Sequence, residues 1–163
     1  MSLANKETYA FQPPARVFRL GERTDFASRR VTVTSHNNRW WANLQSRFDD
    51  LCALEPGWDG YRGKPVNFTV ATFAANLLER IFVPGLAEPA LVPGSDGTLQ
   101  IEWHRNGYDV EIDVLAPNKV VALRYDHRSD SEEVSELEND FSTLLSWVNE
   151  LAAARENAEA ASL

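Results

Sequence analysis

The chain has 163 residues, 44% of them hydrophobic and 25% charged, with a formal net charge of −8. That length supports one domain with a substantial core and excludes two ordinary ones, and the composition excludes wholesale disorder. No run approaches the ~20 apolar residues of a membrane helix, and the first thirty residues hold no apolar signal core, so a cytoplasmic setting is expected.

Residues 1–15 read as a polar arm containing Pro13 and Pro14. Two short runs with β character follow, Arg16–Leu20 and Arg30–Thr34; in the second, Val31 and Val33 alternate with Thr32 and Thr34. Trp40, Leu44, Phe48 and Leu51 recur at helical spacing, with Trp41 and Cys52 flanking the stripe. This predicts a helix over 37–54, capped by Ser35 or Asn37 and stopped by Pro56 and Gly57. The loop GWDGYRGKP, residues 57–65, leads into a second predicted helix over 67–82, with Val70, Phe73, Ala74, Leu77, Leu78 and Ile81 inward.

The strongest β signal lies between the turn dipeptides Asp96-Gly97 and Asn106-Gly107, where Leu99, Ile101 and Trp103 alternate with Gln100, Glu102 and His104. Val110, Ile112 and Val114 then alternate with Asp109, Glu111 and Asp113. Lys119–Asp126 reads as a further strand after Pro117-Asn118, and Leu91–Pro93 as a short strand ahead of the first turn. A last helix is predicted from about Asp130 or Ser131, with Val134, Leu137, Phe141, Leu144, Val148 and Leu151 inward; Glu132 and Glu133 suit its positive end. The expected fold is α+β: an antiparallel meander of three to five strands covered on one face by about three helices. It occupies a single domain over 16–151, and the Ala-rich tail 152–163 either extends the last helix or frays.

A two-residue Asn106-Gly107 turn pairs residues whose numbers sum to 213. Trp103, Ile101 and Leu99 then meet Val110, Ile112 and Val114 on one face, and His104, Glu102 and Gln100 meet Asp109, Glu111 and Asp113 on the other. A two-residue Pro117-Asn118 turn makes the next pairs sum to 235. That places Tyr125, Leu123 and Val121 on the apolar face, Arg124 beside Glu111, and Asp126 beside Asp109. Glu102 opposite Glu111 is a like-charge pair across a ladder. Three readings answer it: a solvated face offset by Arg124, a docking surface for a basic partner, or a metal site using Glu102, Glu111, Asp109 and His104.

Other motifs exclude more than they assert. GWDGYRGKP is no Walker loop, because five residues separate Gly57 from Gly63 and Pro65 follows Lys64. Its glycines are expected to supply positive φ, and Trp58 and Tyr61 either pin the loop to the domain or anchor a partner. His36, His104 and His127 share no metal-ligand spacing, no serine sits in G-x-S-x-G, and Cys52 reads as an inert thiol near a helix stripe. No cofactor, metal or catalytic residue is assigned. Residues 1–47 carry eight basic and three acidic side chains, a balance of +5, whereas the remainder carries eight basic and twenty-one acidic, a balance of −13. The acidic body argues against nucleic-acid binding except through the basic segment 16–47, which can equally fold back onto that body. The last helix leaves a homo-oligomer possible.

Leu54–Val114 is similar to a loosely defined group of bacterial and phage-borne small proteins that share a GWDGY-x-x-x-P loop and a later hairpin, here DGTLQIEW. The positions that match are Gly57, Trp58, Asp59, Gly60, Tyr61, Pro65, Asp96, Gly97, Glu102 and Trp103. The resemblance implies a common fold and bacterial or phage ancestry, and no activity. The leading expectation is a non-catalytic module that binds another protein through Trp58, Asp59, Tyr61, Arg62, Glu102, Asp109, Glu111 and Asp113. Small acidic proteins that neutralise toxins or defence complexes provide the analogy, as antitoxin, immunity or anti-defence proteins. The alternatives are a metal-dependent hydrolase using the sheet carboxylates and nucleic-acid contact through the basic segment.

Overall fold

A computed structural model describes residues 41–160, with side chains through 153. The expected arm, the two β-like runs and the start of the first helix lie outside the described residues. The described elements, in chain order, are α1 (Trp41–Cys52), α2 (Phe68–Ile81), β1 (Ala90–Pro93), β2 (Leu99–Arg105), β3 (Tyr108–Ala116), β4 (Lys119–Asp126), β5 (Ser131–Leu137) and α3 (Ser142–Ala160). Every strand pairs antiparallel with its sequence neighbour, giving one five-stranded meander with β1 and β5 at the edges. The fold is therefore α+β, with α2 against β2 and β3 and between α1 and α3. No helix among the described residues is long and apolar enough to cross a membrane.

Local chemistry accounts for most boundaries. The Asn67 side chain accepts from Thr69 N at 2.9 Å and opens α2. Pro84 follows two residues after the helix ends at Phe82. Ala71, Ala74 and Ala75 are buried along with Val70, Leu77, Leu78 and Ile81, so small side chains let α2 lie close to its neighbours. In α1, Leu44 and Phe48 are buried as expected, but Trp41 joins them in the core while Leu51 is half-buried. Cys52 is half-buried too, and that burial, with the Asp49 carboxylate nearby, pushes its thiol above the usual range.

The β2–β3 register matches the sequence expectation pair for pair, from Leu99↔Val114 to His104↔Asp109. Asn106 and Gly107 both have positive φ, as their tight turn requires. Leu99, Ile101, Trp103, Val110, Ile112 and Val114 are all buried beneath the helices. Trp103, 2% exposed, donates its indole N–H to Ala87 O at 2.8 Å, so its polar edge is satisfied inside the core.

Two expectations fail. The Pro117-Asn118 turn begins as expected, with Ala116↔Lys119, but Leu115 is unpaired in a bulge, and from Val114↔Val120 onward β4 is displaced by one residue. A one-residue slip exchanges the faces of a strand. Val120 and Ala122 therefore enter the core, and Val121, Leu123 and Tyr125 turn to the open face. Arg124 lies under the helices, bonded to Glu133 Oε1 at 2.9 Å and to Glu150, with its guanidinium 4.8 Å from the Tyr108 ring centre. It does not sit beside Glu111, and Asp109 faces Tyr125 and not Asp126.

The second failure concerns residues 131–137, which form β5 and not the start of a helix. Val134 and Leu137 are three apart, which fits one helical turn, yet the hairpin after β4 decides the outcome. Arg128 N bonds to Asp126 Oδ1 at 2.9 Å, Asp130 takes positive φ, and Tyr125 OH donates to Asp130. That turn lays 131–137 back along β4, and Arg124 then holds Glu133 across the ladder. The helix begins only after Asp140, whose carboxylate accepts from Ser142 N at 2.9 Å. From there Phe141, Leu144, Trp147, Val148 and Leu151 are buried.

Candidate functional site

The GWDGYRGKP loop is a self-braced unit. Asp59 Oδ1 accepts from Tyr61 N at 2.9 Å and Gly63 N at 2.8 Å, and Trp58 Nε1 donates to Lys64 O at 2.9 Å. Those two backbone bonds, Tyr61 first, hold the Asp59 carboxyl below its usual range. Gly57 and Gly60 take positive φ, as expected, but Gly63 does not. Its requirement is space: a Cβ there would lie 2.8 Å from Asp59 Cγ and from Trp58 Nε1. Trp58 thus closes the loop from within, whereas Tyr61, 88% exposed, pins nothing and stands in solvent beside exposed Arg62.

The loop is also fastened to the turn between β1 and β2. Lys64 N bonds to Ser95 O and Asn67 N to Gly97 O, each at 2.9 Å. Gly97 has φ +93 and an added Cβ would meet Pro65 O at 3.2 Å, so the Asp-Gly turn and the aromatic loop need each other's shape. Together they line an open cleft of about 560 Å³ formed by Asp59, Tyr61, Arg62, Lys64, Ser95 and Asp96. Its two carboxylates are committed to turn geometry: Asp59 as above, and Asp96 to Thr98 Oγ1 at 2.6 Å.

The second region is the sheet face turned away from the helices. Glu102 and Glu111 do sit opposite each other, but each is drawn aside. Glu102 Oε2 lies 3.2 Å from His104 Nε2, and Glu111 Oε2 accepts from Gln100 Nε2 at 3.1 Å. His104 Nδ1 lies 2.9 Å from Asp109 Oδ1, and His127 Nε2 lies 2.7 Å from Asp109 Oδ2. The result is a chain of alternating groups, Glu102, His104, Asp109 and His127, closed by an edge-on contact between His127 and Tyr125 at 4.7 Å. Hydrogen bonds to Asp109 and then Glu102 raise the His104 pKa. Partial burial pushes Asp109 up, but bonds from His104 and His127 outweigh it and hold its carboxyl low. Asp113 is raised, first by desolvation and then by Glu102.

Of the residues singled out in the sequence, Glu102, Asp109, Glu111 and Asp113 therefore share one face, and Trp58, Asp59, Tyr61 and Arg62 share the loop. No group of three or more His, Cys, Asp or Glu among the described residues could hold a metal ion. The basic segment 16–47 lies outside the described residues apart from 41–47, in α1, where Arg47 Nη2 donates to Leu91 O at 3.1 Å.

Sequence reasoning missed the apolar half of the open face. Cross-strand pairing sets Leu123 beside Val134, Val121 beside Glu136 and Tyr125 beside Glu132. Val134 is 59% exposed, the most exposed large aliphatic side chain among the described residues. The open face is thus acidic on β2 and β3 and apolar with an acidic margin on β4 and β5. Comparison with protein-family models, with curated proteins and with solved structures gives no match.

Proposed function

We propose that the protein is a non-catalytic module that binds a cationic partner protein on the open sheet face. The observation that carries this reading is the slip at Leu115, which puts Val121, Leu123 and Tyr125 next to Asp113, Glu111 and Asp109, and Leu123 beside exposed Val134. Apolar side chains ringed by acids offer burial and charge steering together, the combination that recognition surfaces use. The braced loop offers a second contact, because Tyr61 and Arg62 are presented on a backbone already ordered before binding, which lowers the entropic cost. The analogy with small acidic neutralisers of toxins or defence complexes supplies a class of partner: a basic effector whose working surface the acidic face would cover.

The test uses the full chain as bait in its native host's extract, alongside a Glu102→Lys/Glu111→Lys variant and a Leu123→Arg variant. The expected result is one basic protein retained by the wild type, released as salt rises from about 0.05 to 0.5 M, and lost with both variants. A captured set that is indifferent to salt and to both variants sinks the reading.

A further inference from the structure

The two edges of the sheet are finished differently. β1 is four residues long, ends in Pro93, and has its Leu91 carbonyl covered by the Arg47 guanidinium of α1. β5 is seven residues long, holds no proline and pairs with β4 without a bulge. Among the described residues, no strand pairs with it on the side away from β4. Ser131, Glu132, Glu133, Val134 and Glu136 are all exposed. A straight, open edge of that length, with no proline, lysine or bulge to deter pairing, is a template for another strand.

Charge decides what can use it. β5 carries three glutamates and no cation. Glu133 is held by Arg124 across the ladder. Glu132 and Glu136 flank Val134 on the open face, and among the described residues neither has an ion-pair partner. They stand roughly 13 Å apart along the strand, with the exposed valine midway. A second copy of the chain is a poor occupant. Antiparallel pairing of two β5 strands centred on Val134 sets Glu132 opposite Glu136 twice. Centred on Glu133, it sets that residue against its own copy; centred on Ser135, it sets Glu132 against Glu138. Like charges facing across a ladder destabilise it. The complementary occupant is a strand with cations two positions either side of an aliphatic residue, which answers Glu132, Val134 and Glu136 together.

We propose that β5 is a docking edge for an extended segment of the partner protein, which adds as a sixth strand and reads basic, x, aliphatic, x, basic. Backbone bonds to the open edge supply affinity, and the alternating side chains supply the choice of sequence. The proposal rests on the cationic-partner reading and adds to it the partner's local shape and pattern.

The probe is a synthetic peptide, acetyl-Thr-Lys-Thr-Val-Thr-Lys-Thr-amide, titrated into the isotope-labelled full chain to about 2 mM, where weak strand addition is populated. The expected result is saturable NMR shift changes at β5 and β4 amides, with backbone contacts between probe and β5. Affinity is expected to fall about tenfold or more for Glu132→Lys/Glu136→Lys and for a probe with glutamates in place of its lysines. It falls equally for a probe N-methylated at every interior amide, which keeps its charge and cannot donate strand bonds. Glu102→Lys/Glu111→Lys, on strands remote from this edge, is expected to leave probe affinity within about twofold. Shifts on β2 and β3 in place of β5, or full binding of the N-methylated probe, overturn the edge proposal and leave the face reading standing. Probe addition at β5, beside a host-extract capture that ignores the face variants, supports the edge and sinks the face reading alone. The absence of any shift at β5 overturns the proposal. So do outward β5 amides already protected from hydrogen exchange in the free chain, because the edge is then occupied.

Discussion

Along β3, the ladder to β2 runs uninterrupted from a two-residue Asn-Gly turn, whereas the ladder to β4 starts from an equally short Pro-Asn turn and slips at Leu115. The difference lies in what each partner strand carries. β2 reads LQIEWHR, apolar at one parity and polar at the other, so only one register buries its apolar set. β4 reads KVVALRYD, with aliphatic groups at both parities, so burial alone does not choose. A bulge then decides, and Arg124 goes to the side where Glu133, Glu150 and the Tyr108 ring receive it. The strand that was ambiguous in sequence is the one that brings apolar groups to the open face.

The sharpest way to break this comparison is a pair of aspartates on adjacent β4 residues. Ala122 is fully buried, so Ala122→Asp introduces an unpaired carboxylate in the core and is expected to cost about 3–5 kcal/mol. Val121→Asp, on the open face, is expected to cost less than about 1 kcal/mol. Urea denaturation of both variants decides the register, since the unslipped pairing predicts the reverse order. Next in size is Arg124→Ala, which removes two charge-assisted bonds and a ring contact from a nearly buried site. Its expected cost is about 1–3 kcal/mol by the same measurement. A neutral result there would mean that Arg124 does not hold β5 against β4.

The β2–β3 side is expected to show a pH dependence that the β4 side lacks. His104 has a raised pKa in the fold, so its contribution is complete below its ordinary value of about 6.5 and is lost as pH rises through the folded value. Asp109 is lowered, so its contribution is present above its ordinary value near 3.8 and is lost as pH falls through the folded value. The melting temperature is therefore expected to fall by about 1–3 °C between about pH 6 and pH 8, a small change because the His104 ring is half-exposed. His104→Gln flattens that slope. The smallest effect is a gain: Asp113 is raised by desolvation and by Glu102, so Asp113→Asn is expected to lift the melting temperature at neutral pH by about 1–2 °C. A fall instead would mean that the Asp113 carboxylate makes a favourable contact.

The sequence made the α+β class, α2 and the β2–β3 hairpin legible because each rests on a local signal: a cap, a period or an Asn-Gly pair. It made the four open-face carboxylates of β2 and β3 legible for the same reason, since they follow from that hairpin. What it hid depends on residues far apart. SEEVSEL predicts a helix because Val134 and Leu137 have helical spacing over one turn, while the strand state of β5 comes from the Asp126–Asp130 turn and the grip of Arg124. The apolar half of the face was hidden by one unpaired residue, and His127 by a turn that brings it to Asp109 from eighteen positions away. Gly63 was legible as a glycine but not for its reason, which is the pair of side chains folded over it.

That glycine has a practical corollary. A nine-residue stretch with three glycines and an exposed Arg62 looks like an easy target for trypsin. Cleavage requires the peptide around the Arg62–Gly63 bond to unfurl into an extended shape in the enzyme's cleft. With Asp59 gripping the Gly63 amide and the Trp58 indole tied to the next carbonyl, that unfurling means undoing the whole brace at once, so scission there should lag behind scission at equally exposed arginines elsewhere.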